Sequence, residues 1–190
     1  MTPAEVIALQ PVREGRRRPP ADYGRFPQRL SADELAEFFL FDQRDREVIR
    51  RRRGEQNRLG FAVQLGTVRY LARFLEDPSA VPEPVVAWVA RELGLSSSDI
   101  RAYACGEARW DHQTEIRREF GYRDFHEPDV EREVAGWLEA RSWVGAESHR
   151  ALFDRATEQL ISSKVLLRAP ACCGGWSARS ASAPPSAATN

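Results

Sequence analysis

A mostly α-helical fold is what this sequence predicts, built as two small helical subdomains resembling tandem helix-turn-helix units, with disordered termini. Three observations carry that reading. Apolar residues recur at three- and four-residue spacing in several windows. Ser, Asp, Pro and Gly fall where helices start and stop. Both ends lack any apolar period. At 190 residues, 42% hydrophobic, the chain suffices for one domain or two small ones.

Residues 1–26 hold Pro3, Pro11, Pro19, Pro20 and the run Arg16, Arg17, Arg18. This mix offers too little burial to order itself, and reads either as a flexible basic arm, of the kind that lies along a DNA backbone, or as leader translated by accident. Residues 27–77 read as a first helical DNA-binding unit. Ser31 can cap a helix with Glu34 three residues on, and Leu30 can staple against Leu35. A second helix begins near Asp42 and is expected to close at Gly54, where a left-handed residue is cheap. The third is the clearest: Leu59, Ala62, Val63, Thr67, Tyr70, Leu71 and Phe74 form its inward face, broadened by Phe61, Leu65 and Val68, with Arg58, Arg69 and Arg73 beside it.

The stretch from Asp77 to Pro84 is a proline-rich break, taken as the subdomain boundary, and Pro84 suits the first turn of a new helix. Residues 84–127 read as a second helix-turn-helix-like unit. Val85, Trp88, Val89 and Leu93 line one helix, Gly94 ends it, and Ser96 with Asp99 starts the next, burying Ile100 and Tyr103. After Gly106, Ile116 and Phe120 point inward, and Arg109, His112, Gln113, Arg117 and Arg118 offer donors of the kinds used on phosphates and base edges; this is the expected recognition helix. The alternative is an ordinary charged surface in which Glu115 and Glu119 pair with arginines. Residues 128–167 read as a helical scaffold extension, with Val134, Trp137 and Leu138 on one face, and Leu152, Phe153, Ala156, Leu160 and Ile161 on the next. Trp88, Trp110, Trp137 and Trp143 are taken as core. Residues 168–190, without Asp or Glu, read as a disordered tail that out-of-frame translation of GC-rich DNA would produce, so a longer reading frame is expected to break near Leu167.

The whole chain is neutral, 28 basic against 28 acidic residues, but its charge is unevenly spread. Residues 43–74 hold Arg44, Arg46, Arg50, Arg51, Arg52, Arg53, Arg58, Arg69 and Arg73 against Asp45, Glu47 and Glu55, nine minus three, a local charge of plus six. Lys164 is the only lysine, and guanidinium matches phosphate oxygens with two parallel hydrogen bonds. A polyanionic partner and a solvated helix face are both compatible with such a run. Four arginines in a row at 50–53 exceed what a helix dipole needs.

Other classes find little support. No window has the eighteen apolar residues of a membrane span, and the N-terminus lacks the pattern of a secretory signal, so a cytoplasmic protein is expected. Cys105, Cys172 and Cys173 form neither a disulfide framework nor a CxxC pair, and His112, His126 and His149 show no ligand spacing; no metal and no cofactor are expected.

In this order DYGRF, QNRLGFAVQLGTVRYLARFL, VPEPVVAWVARELGL, ARWDHQTEIRREFGYRDF and LFDRATEQLISSKVLL resemble the N-terminal region of transposases of the Tn-three family of replicative, class II transposons. The resemblance covers about Asp22 to Leu167. It implies binding to double-stranded DNA at the terminal inverted repeats. That family's chemistry sits in a C-terminal RNase H-like domain whose Asp, Asp and Glu hold two metals, and the chain stops short of any such segment, so a non-catalytic truncated fragment with no catalytic residue is expected. The expected DNA contacts are Arg50, Arg51, Arg52, Arg53, Arg58, Arg69, Arg73, Arg109, His112, Gln113, Arg117 and Arg118. A rival reading makes the helices a self-association platform that forms mixed oligomers with full-length transposase. Neither reading involves a membrane or a small-molecule substrate.

Overall fold

The computed structural model describes residues 25–142 and 148–167. They form α1 (Ala32–Phe39), α2 (Gln43–Arg50), α3 (Glu55–Leu71), α4 (Glu83–Leu93), α5 (Asp99–Ala104), α6 (Ala108–Phe120), α7 (Pro128–Ser142) and α8 (His149–Ser162). A short 3-10 turn covers Pro78–Ala80, and two strands, β1 (Arg123–Asp124) and β2 (Val165–Leu166), complete the set. The mostly α-helical class is thus as expected. The readings made for nearly all of 1–26, for Trp143 and for 168–190 fall outside the described residues.

Around α3 the helices α1, α2, α4, α5 and α6 are arranged. From Leu59 to Val68 each of its residues is buried, and it touches α1, α2, α4, α5 and α6. Two glycines permit this crowding: a Cβ at Gly60 would stand inside the ring of Tyr103 from α5, and one at Gly66 inside the ring of Phe39 from α1. A single core runs from Phe39, Val48 and Ile49 through α3 to Val85, Val89, Ile100 and Ile116. The hydrophobic core therefore continues across the proline-rich break.

Helix ends follow local chemistry. Ser31 and Glu34 form the expected capping box, and Leu30 and Leu35 both pack against the core. Asp42 and Asp45 form a second box at the start of α2. Pro84 lies in the first turn of α4, and Gly94, φ +66°, closes it with the Leu95 N–H donating to the Ala90 carbonyl at 2.8 Å. Three expectations need correction. α2 stops at Arg50, four residues before Gly54; Gly54, φ +82°, instead turns the chain into α3, so Arg51, Arg52 and Arg53 lie in the connecting turn. α3 ends at Leu71 with Ala72 in the left-handed region, φ +52°, which leaves Arg73 and Phe74 beyond the helix. Ser96 does not cap α5: its hydroxyl pairs with that of Ser98 at 2.9 Å, and no side chain caps that helix.

β1 and β2 pair in parallel, Arg123 opposite Val165 and Asp124 opposite Leu166. Val165, Leu166 and Leu167 are buried, and the Leu167 N–H donates to the Ala72 carbonyl at 2.7 Å. The end of α8 is thereby fastened to the exits of α3 and α6. Val130 anchors α7 in the interior, while Val134, Trp137 and Leu138 are half-buried. On α8 the expected inward face is only partly inward, since Phe153 and Ile161 stand 54% and 44% exposed.

Candidate nucleic-acid interface

The side chains expected to meet DNA separate by burial. Arg50, Arg51 and Arg53 are exposed at the turn between α2 and α3, and the side chain of Arg118, on α6, is 74% exposed. These four can reach a polyanion without breaking an internal tie stronger than the 3.4 Å contact of Arg118 with Glu119.

Their neighbours are engaged inside the protein. Arg52 pairs with Glu115 of α6, and its guanidinium lies 5.0 Å from the Phe61 ring centroid. Arg58 donates to the Arg52 carbonyl at 3.1 Å, and Arg73 to the Phe74 carbonyl at 3.4 Å. Arg69 holds the buried Asp45 with two hydrogen bonds. Arg109 donates to the Ala104 carbonyl at 2.6 Å. Arg117 is a partial case: it sits 3.7 Å from Asp124 and over Phe74, with 38% of its side chain exposed.

His112 and Gln113 are a correction. Both are buried, 7% exposed, so neither can face a base edge from this fold. The Gln64 amide donates to the Tyr103 hydroxyl, which lies 3.0 Å from His112 Nδ1, and the imidazole stacks on the Tyr103 ring at 5.5 Å. The chain of bonds closes when the Tyr103 O–H donates to an unprotonated Nδ1. Burial, with Arg52 nearby, holds the His112 pKa below its ordinary value, and burial pushes the Tyr103 phenol up. Both groups are accordingly neutral near pH 7 and serve the core.

What places the exposed arginines is the contact between α2 and α6. Arg44 donates to the Glu119 carbonyl at 2.9 Å and lies over Phe120, where Arg69 also lies, at 5.8 and 5.6 Å. Together with the Arg52–Glu115 pair this pins the arginine turn along one flank of α6. Arg46, bonded to the Phe41 and Glu92 carbonyls, ties α2 to α4 on its other side. Sequence reasoning missed one surface feature altogether: Trp110, taken as core, stands 51% exposed on α6 with the Arg109 guanidinium 4.8 Å from its ring. Its six-residue offset from buried Ile116 is about 240° of rotation, which was the available signal.

Among the described residues no three His, Cys, Asp or Glu side chains stand together as a metal site needs, and no helix is long and apolar enough to cross a membrane. The family described as Domain of unknown function (DUF4158) matches residues 18–171. The transposase for transposon gamma-delta from Escherichia coli is 34% identical over 148 residues, 77% of this chain and 15% of that protein. The transposase for transposon Tn1546 from Enterococcus faecium is 38% identical over 92 residues, 48% and 9%, and that for Tn501 from Pseudomonas aeruginosa 39% over 101 residues, 50% and 10%. The chain thus spans between 9% and 15% of the length of these curated relatives.

Proposed function

This chain belongs to the DUF4158 family and is similar to an N-terminal region of Tn-three family transposases, and on that basis we propose that it binds the terminal inverted repeats of a transposon as double-stranded DNA. The observation that carries the reading is the turn of exposed Arg50, Arg51 and Arg53, held against α6 by the Arg52–Glu115 pair. Guanidinium groups that are presented on a rigid turn lose little freedom on meeting phosphate, and each one that neutralises a phosphate releases counterions. Residues 27–77 and 84–127 act as the two helical units of that surface. The role is binding, with strand cutting left to other parts of a transposase.

A gel shift over a range of salt concentrations tests this. The chain should retard a duplex carrying the terminal repeats of its own element more strongly than a scrambled duplex. Equal retardation would reduce it to a general DNA binder, and none at low ionic strength would overturn the proposal.

A second reading, a self-association face that also joins full-length transposase, is favoured by exposed Leu40 and Ile161. Ile161 borders an open cleft of about 330 Å³ lined also by Phe38, Val68 and Val165. Co-purification of the chain with full-length transposase in the absence of DNA distinguishes it from the first.

A further inference from the structure

The outward surface of α6 is narrow and has a defined order. Trp110, Thr114 and Arg118 are all exposed and follow each other at four-residue steps, so each is rotated only about 40° from the last and the three span about 12 Å along the axis. That length matches three to four steps of a duplex, at roughly 3.4 Å each. The arginine turn lies on one flank of this stripe, because Glu115 and Glu119, the residues that hold Arg52 and Arg44, follow Thr114 and Arg118 directly in sequence. Exposed Glu107 and Asp111 stand at the other end, beside Trp110. Carboxylates there repel phosphate, so that end of the helix is unsuited to the backbone, and of the base edges only an amino group can meet them.

Resting on the DNA-binding reading above, we infer that this stripe reads sequence in the major groove: Trp110 by apolar contact with a thymine methyl, and Arg118 by paired hydrogen bonds to the acceptor edge of a guanine. The indole is large, apolar and half in water. Beneath it the Arg109 guanidinium, anchored on the Ala104 carbonyl at 2.6 Å, forms a fixed backing. Arg118 has the longest reach of the stripe, and its tie to Glu119, 3.4 Å, is weak enough to exchange. A planar guanidinium matches the two guanine acceptors, and an aromatic or aliphatic surface matches the thymine methyl. Thr114, between them, is small enough to let the helix approach. Asp111 faces the same groove and can accept only from a base amino group, as cytosine offers.

The test uses the full chain and duplexes of its element's terminal repeat in which thymines are replaced one at a time by uracil, which lacks the methyl, and guanines by deazaguanine, which lacks one acceptor. The wild type should lose about fourfold in affinity at one thymine position, the worth of one buried methyl. It should lose about fivefold or more at one guanine position three to four steps away. Trp110→Ala should bind the thymine and uracil duplexes equally, and Arg118→Ala should ignore the guanine replacement, with both variants keeping the helical circular dichroism of the parent. A wild type that prefers the repeat but tolerates every replacement, or a Trp110→Ala chain that still discriminates the methyl, overturns the inference and leaves the DNA-binding reading standing. Absence of any preference for the repeat overturns both.

Discussion

Asp45 and Arg69 meet through two parallel hydrogen bonds, 2.8 and 2.7 Å, with only 3% of the Asp45 side chain exposed. Asp45 also accepts from the Asp42 N–H at 3.1 Å, so one carboxylate joins the start of α2 to the last turn of α3. Removing Arg69 strands a buried charge, and because Arg69 is itself a quarter exposed the loss belongs at the low end for such pairs, about 3 kcal/mol. Urea unfolding of Arg69→Ala should read that loss. At temperatures where the variant remains folded, its DNA affinity should change little.

The opposite pattern is expected for the arginine turn. Replacing Arg50, Arg51 and Arg53 together by Ala removes no packing, so the unfolding midpoint should stay near that of the parent. Binding to every duplex should weaken, and the slope of log affinity against log salt should flatten by about 0.9 for each phosphate that is no longer neutralised. Fluorescence anisotropy across a salt series measures it; an unchanged slope would remove these residues from the interface.

Gly60→Ala should be costly although alanine favours helices. Its Cβ would enter the Tyr103 ring, and the tyrosine cannot retreat without parting from Gln64 and His112. Overpacking of this kind costs about 1–3 kcal/mol. Thermal or urea denaturation of the variant reads the loss, with Glu55→Ala, at the exposed start of the same helix, as the control expected to be near neutral.

A dependence on pH follows from His112. Its pKa is lowered in the folded chain, chiefly by burial and then by Arg52, relative to an unfolded value of about 6.5. Below that value the unfolded chain takes up a proton that the folded one resists, so stability is intact above about pH 6.5 and declines as pH falls toward the folded pKa. His112→Gln should remove that part of the slope between pH 7 and 5. Equal slopes for parent and variant would assign the effect to other groups.

Sequence periodicity exposes most of the helices because each carries its own signal: the Ser31 box, the Pro84 start, the Gly94 stop and the apolar run of α3. It errs where two signals compete. The period that turns Ile116 and Phe120 inward also puts His112 four residues before Ile116, and Gln113 three before it, on that inward face; the polar identity of the side chains overrides their position in such a reading. Arginines on α3 look presented because rotation alone ignores Asp45 and the Arg52 carbonyl, partners supplied by other segments. Gly54 attracts the end of α2, yet a positive φ serves an entry as well as an exit. The β1–β2 pair has no local trace, since two-residue strands about forty positions apart are chosen by tertiary packing alone.

That small pair sets an order of events. The backbone N–H of Arg123 donates to the Lys164 carbonyl at 2.9 Å, across a loop containing the whole of α7 and α8. A seam between positions so distant in sequence forms after the locally encoded helices and pays the greater closure entropy. With only two residues on each side the seam has little to hold it shut, so the Arg123 amide should exchange with deuterium well ahead of the amides at the centre of α3.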